Sequence, residues 1–175
     1  GSGADLKILR YAFLIAETTF DPAQISDLYS RTVVAGMLEA PLEFEFYAKP
    51  TRMRPNTAAE MPQISDDFKT FTIRIKPGIL FQPHPAFARD EQGRYRYHAM
   101  QPGDLGARRT PLDFEHRGTR ELVAEDYVYA LKRHATTRIT TPIYGLFSEY
   151  VLGLKDYGEL IQAEHAFAAV EKLGR

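Results

Sequence analysis

Glu121-Leu122-Val123-Ala124-Glu125-Asp126-Tyr127-Val128-Tyr129-Ala130-Leu131-Lys132-Arg133 is the stretch from which the rest of the chain can be placed. It reads as a helix from Ala124 to His134. Glu125 and Asp126 stand at its positive end, and Lys132, Arg133 and His134 at its negative end, so side-chain charge complements the helix dipole. Val128 and Leu131 give an apolar face, with Tyr127 beside them. None of these residues has evident chemistry, so the stretch serves as a marker of position.

Upstream, Lys7 to Leu14 is apolar on both parities, the pattern of a strand buried on both faces. Asp21-Pro22 breaks it with a turn signal. A helix is expected from Ser26, taken as N-cap, to Leu38, with Tyr29, Val33 and Met37 on one face and Pro41 ending it. Leu42 to Ala48 alternates as a half-buried strand. Residues 49–64 hold Pro50, Pro55 and Pro62 and read as irregular. Phe68 to Ile75 is the clearest strand, with Phe71, Ile73 and Ile75 facing inward. Lys76-Pro77-Gly78 makes a turn, and Ile79-Leu80-Phe81 begins the partner strand. Gln82 to Gly118 is a polar excursion rich in Pro and Gly, with Tyr95-Arg96-Tyr97 as a short strand or hairpin arm. Two further helices are expected, at Ile143 to Leu152 and Tyr157 to Lys172. The fold class is α/β (α+β), a mixed sheet with flanking helices.

Of the 175 residues, 44% are hydrophobic and 12% aromatic, enough for a core. Charged residues make up 26% and the formal net charge is −1, so no global field favours nucleic acid, and no nucleic-acid partner is expected. The absence of cysteine excludes disulfides, thiolate nucleophiles and cysteine-based zinc sites. No apolar run approaches the roughly 18–20 residues that span a bilayer. Gly1-Ser2-Gly3 is expected to be a cloning scar, so the lack of a leader carries no information.

Three blocks resemble the extracellular solute-binding proteins of the peptide- and nickel-binding family, receptors that feed ABC importers. The first is Leu9-Arg10-Tyr11-Ala12, then Phe20-Asp21-Pro22-Ala23, Ser26-Asp27 and Ser30-Arg31. The second runs from Leu42 to Ile79. Within it, Met53-Arg54-Pro55-Asn56-Thr57-Ala58-Ala59-Glu60 is similar to the family's L-K-P-A-L-A-E-S. Ile64-Ser65-Asp66-Asp67-Phe68-Lys69-Thr70-Phe71-Thr72-Ile73-Arg74-Ile75-Lys76-Pro77-Gly78 is similar to its V-S-D-D-G-L-T-Y-T-F-H-L-R-K-G. The third block is the marker helix. Order and spacing agree over roughly residues 7–134 outside the excursion. The family's H-D-G-T-P is replaced by Gln82-Pro83-His84-Pro85 and the insert.

The resemblance implies a partial periplasmic-binding-protein type II-like fold. Residues 4–40 would be the first strand and helix of lobe one. Residues 41–175 would be an inserted α/β subdomain and the start of the return to lobe one. It also implies a periplasmic or extracellular, membrane-associated location. The expected partners are a peptide or similar small solute, the membrane permease of an ABC importer and the remaining lobes of a longer receptor. The loop Glu17, Thr18, Thr19 and Phe20 is the candidate ligand site. It leaves the expected first strand at its carboxyl end, where ligands of open α/β sheets bind. Glu17 could pair with a peptide's amino terminus. A plain connection with Asp21 holding a turn accounts for the loop equally well.

Enzymatic signals are weak. No His pair has helical zinc spacing, and there is no His-Glu-x-x-His, nucleophile elbow or phosphate loop. Asp66-Asp67 is a carboxylate pair, which turn chemistry also explains. His84, His98 and His116 share the excursion with Asp90, Asp104, Asp113 and Glu115, a set open to a metal site but better explained by a solvated loop. Seven arginines between positions 89 and 120 surround Phe87, Tyr95 and Tyr97, a pattern that can bind single strands but is diluted by acids. The reading is a receptor with no catalytic residue, metal or cofactor. Its alternatives are a hydrolase domain with an unrecognised site and a protein-interaction domain built on residues 82–120.

Overall fold

The computed structural model describes residues 10–173, with side chains described to residue 165. Residues 1–3 and 7–9, the expected scar and the first three positions of the expected strand, lie outside them. The described residues are α+β: four α-helices and two two-stranded antiparallel sheets. No parallel pairing occurs among them, so the mixed sheet is not part of the described structure. The chain divides into two compact units. One takes in the chain up to Glu39 and from Val128 onward, and the other is Ala40–Tyr127.

In the first unit, residues 10–14 form no strand, and Leu14 is 91% exposed. This corrects the reading of a doubly buried strand there: an apolar run does not pair unless a neighbouring strand accepts its backbone groups. Helix α1 is Leu28–Ala35. Its N-cap is Asp27, not Ser26: the Asp27 carboxylate accepts from the Ser30 N–H (2.8 Å). Val33 O accepts the Gly36 N–H (3.1 Å) and Val34 O the Met37 N–H (3.0 Å), so the helix closes at Gly36, well before Pro41. Helix α2, Ala124–Arg133, follows the expected bounds to within a residue. Its start is held by Asp126, which accepts from the Val123 N–H (2.9 Å). The unit division falls inside it, after Tyr127. Helices α3 (Tyr144–Tyr150) and α4 (Leu154–Leu173) pack on each other. At Gly158 a Cβ would lie 2.0 Å from the Tyr144 hydroxyl, so the absence of a side chain permits that approach.

In the second unit, β1 (Leu42–Phe44) pairs antiparallel with β2 (Met53–Pro55). The charged residues Glu43 and Glu45 reach across to Arg54 (2.7 Å) and Arg52 (2.6 Å). The alternate positions Phe44 and Phe46 stay exposed, so the predicted inward face of this strand is open. β3 (Gln63–Ile64) pairs with β4 (Phe71–Thr72). Residues 49–64, read as irregular, therefore supply two strands. Pro50 and Pro62 fall outside them and Pro55 ends one, so no ladder hydrogen bond is lost mid-strand. The strand expected over Phe68–Ile75 shortens to β4, because β3 offers it only two residues, and Phe71 and Ile73 remain exposed.

Leu80 pairs with Glu121 rather than returning along β4, which corrects the expected hairpin. The Pro77-Gly78 turn explains the redirection. Gly78 takes φ 80°, and its N–H is caught by the Glu121 carboxylate (2.5 Å). Phe81 N–H to Arg120 O (3.0 Å) and Leu122 N–H to Ile79 O (2.8 Å) continue the ladder, and His84 pairs with Gly118 at its far end. The excursion between them is thus a loop with closed ends. It contains 3-10 turns at Pro85–Phe87, Pro102–Leu105 and Pro111–Asp113, and a hairpin in which Tyr95 pairs with Arg89.

The core of this unit lies at Thr57, Ala58, Pro85 and Ala88. Thr57, 2% exposed, shares a hydrogen bond with the Tyr127 hydroxyl (2.6 Å) and donates to Ala40 O (3.3 Å).

Candidate functional site

The loop Glu17–Phe20 is anchored to the start of α1. The Thr18 N–H (2.9 Å) and Thr19 N–H (3.3 Å) both donate to Ser30 Oγ, which is fully buried. Thr18 Oγ1 donates to Asp27 Oδ2 (2.6 Å), and Thr19 Oγ1 accepts from the Asp21 N–H (3.0 Å). Both threonine hydroxyls, read as ligand contacts, are therefore engaged in holding the loop. Glu17 is exposed, and the Phe20 ring is 54% exposed. What the loop offers a ligand is one carboxylate and one ring on a fixed backbone.

Two carboxylates stiffen this support. Asp27 is held at about 2, below the usual 3.8, chiefly by the Ser30 N–H and then by the Thr18 hydroxyl. Asp21 is also lowered to about 2, first by its hydrogen bonds from Arg133 and then by the Ala23 N–H and the Gln24 side chain. The Arg133 guanidinium grips Asp21 with two bonds, 2.9 Å to Oδ1 and 2.7 Å to Oδ2. Nothing in the sequence signals this pair. Asp21 reads as a turn residue and Arg133 as a helix-end charge, 112 positions apart.

Beyond α2 lies a second feature that the sequence concealed. A cavity of about 330 Å³ is lined by His134, Ala135, Thr136, Thr137 and Thr141 after α2, by Tyr144 and Ser148 of α3, and by Lys155, Gly158, Glu159 and Gln162 of α4. His134 packs edge-on against Phe147 (5.2 Å), and its Nδ1 is buried without a hydrogen-bond partner. Burial, and then the Arg133 charge, lower its pKa, so the ring is neutral at pH 7. An adjoining cavity of similar size is lined by Thr136, Arg138, Tyr157, Leu160, Ile161, Glu164 and His165.

The other residues with candidate chemistry have local roles. Asp67 accepts from Ser65 Oγ (2.6 Å) and the Lys69 N–H (3.2 Å), and those bonds lower its pKa; it is a turn acceptor. His84 Nδ1 accepts from the Ala86 N–H (3.1 Å) and caps a 3-10 turn. His98 stacks on Tyr95 at 4.0 Å and 6°, while the Arg89 guanidinium lies 4.0 Å from the same ring centre. Two planar groups cannot share one face at those distances, so both faces of Tyr95 are covered and no base can stack there. Arg120 lies over Phe81 (4.6 Å) and is paired with Asp126. Among the described residues, no group of three His, Asp or Glu side chains could hold a metal ion. No described helix is long and apolar enough to cross a membrane.

Comparison with protein-family models, with curated proteins and with solved structures gives no match.

Proposed function

We propose that this chain is part of an extracellular solute receptor of the peptide- and nickel-binding kind, binding peptides or similar small solutes for an ABC importer. Its fold would be part of a periplasmic-binding-protein type II-like lobe, with residues to about 40 in lobe one and an inserted subdomain after them.

The observation that carries the reading is the Asp21–Arg133 pair. Asp21 lies in the first block of resemblance and Arg133 ends the third. Two blocks read as resembling one family are thus tied to each other by a bidentate ion pair. The Thr57–Tyr127 hydrogen bond likewise ties the second block to the third. Mutually bonded blocks favour one shared framework over independent chance runs. The division of the chain after Glu39 also supports an inserted subdomain starting near residue 40.

Receptors of this kind work by closing two lobes around a solute. In this reading the exposed Phe20 ring packs on a solute side chain and Glu17 meets its amino terminus. The fixed loop backbone lowers the entropy lost on binding. The test has two steps. The native gene is read on both sides of the codons for Ala4 and Arg175, and a frame confined to them removes the two-lobed account. The full product is then titrated with a peptide library by calorimetry. Saturable heat supports the proposal, and no heat with any peptide overturns peptide binding.

A further inference from the structure

We propose that the outer edge of β1 pairs antiparallel with the same edge of a second copy of this chain, joining two hairpins into a four-stranded sheet about a two-fold axis. The surface shares no residue with Glu17–Phe20 and stands whether or not the receptor reading does.

Hydrogen-bond alternation within the hairpin shows which backbone groups face outward. The Asn56 N–H donates to Pro41 O (2.9 Å) and the Glu45 N–H to Arg52 O (3.0 Å). In an antiparallel pair such bonds fall on alternate positions, so 41, 43 and 45 turn toward β2, and Leu42 and Phe44 turn away from it. Among the described residues the sheet has no third strand on that side. A row of outward N–H and C=O groups accepts another strand unless something blocks it. The β2 edge is blocked, because its outward position opposite Leu42 is Pro55, which has no N–H. The β1 edge has neither proline nor charge at Leu42 or Phe44.

The two faces of the hairpin differ in kind. Phe44 stands opposite Met53, and Leu42 opposite Pro55, on an apolar face. Glu43 with Arg54 (2.7 Å) occupies the other face, and Glu45 with Arg52 (2.6 Å) continues it. Those four charges cancel within the hairpin, so they do not select a partner of opposite charge. The aromatic side chains stay open instead: Phe44 is 67% exposed, and at the turn beyond it Phe46 is 88% and Tyr47 87% exposed. The two turn rings meet edge-on at 4.9 Å.

The three rings leave roughly 350–600 Å² of surface uncovered. A specific interface needs about 500 Å² from each partner, which these rings, Met53 and the β1 backbone supply at the low end. A second copy is the occupant that fits, since the edge complements itself. With Phe44 opposite its own equivalent, each N–H meets the other's C=O and the two apolar faces join. Glu43 and Glu45 of the two copies approach as arginine-held pairs rather than as bare carboxylates.

Sedimentation equilibrium of the chain over about 1–500 μM tests the pairing, with a reversible dimer expected to dissociate at about 1–100 μM. Phe44→Lys, at an exposed position, should weaken the dimer about tenfold or more while keeping the urea midpoint. Leu112→Ser, equally exposed but outside the hairpin, should leave it unchanged. Amide exchange at Leu42 and Phe44 should slow with rising concentration more than at Glu45, which is bonded to Arg52 O in either state. A monomer at every concentration, a dimer indifferent to Phe44→Lys, or unaltered exchange at Phe44 in the dimer would overturn the proposal. A monomer captured by phosphatidylcholine vesicles through Phe46 and Tyr47 would also overturn it, and would assign the rings to a lipid surface.

Discussion

Replacing Asp21 with Asn neutralises one half of the ion pair that joins the start of the first unit to the end of α2. The carboxyl is held at about 2 against an ordinary 3.8, a difference equivalent to ~2.4 kcal/mol. The side chains of Asp21 and Arg133 are 21% and 33% exposed, so screening reduces the expected loss to about 1–2 kcal/mol. Because the folded pKa is depressed, this stability is fully present above pH 3.8, the unfolded value. It falls as pH drops toward the folded value of about 2. Roughly half should survive at pH 3.

The assay is urea unfolding followed by far-ultraviolet circular dichroism, since the chain has no tryptophan, at pH 7, 5 and 3. Asp21→Asn should unfold at lower urea at pH 7 and pH 5, and the gap should narrow at pH 3. Asp27, also lowered to about 2, titrates in both chains and cancels from the difference. A double-mutant cycle with Arg133→Met isolates the pair, and a coupling of about 1 kcal/mol is expected. Equal stability at pH 7, or a gap independent of pH, would refute the electrostatic account of this contact.

Thr57→Val should cost about 1–2 kcal/mol by removing a buried hydroxyl that serves both Tyr127 and Ala40 O; the shift in urea midpoint measures it. Gly118→Ala should destabilise the second unit by about 1–3 kcal/mol, because a Cβ there would lie 2.2 Å from Phe87 O. Faster amide exchange at His84 and Phe81 would locate the damage. Asp27→Ala should speed exchange of the Ser30 amide and of the Thr18 and Thr19 amides together, since one carboxylate caps α1 and holds the loop.

Patterns contained within a single helix are legible in the sequence, and pairings between distant segments are not. α2 was legible because charge placement and an apolar face coincide within ten residues. Ser26 and Asp27 both suit the α1 cap position in sequence, and the fold selects Asp27, whose carboxylate takes both the Ser30 N–H and the Thr18 hydroxyl. Tyr95-Arg96-Tyr97 reads as a short strand or hairpin arm, and Tyr95 does pair with Arg89. The partner of Ile79–Phe81 was not legible, because its strand mates at 120–122 lie across the whole excursion. Thr18 and Thr19 looked free in sequence, yet Asp27, Ser30 and Asp21 occupy them. The cavity beside α4 left no motif, since it depends on Gly158 admitting the Tyr144 ring and on three separate elements meeting.

The central claim is that Glu17 and Phe20 meet a solute. Peptide affinity of the full gene product, compared with its Phe20→Ala and Glu17→Gln variants by calorimetry, tests it most directly. The account predicts peptide binding weakened about tenfold or more by Phe20→Ala, and weakened by Glu17→Gln only for peptides with a free amino terminus. Affinity unchanged in both variants would contradict it.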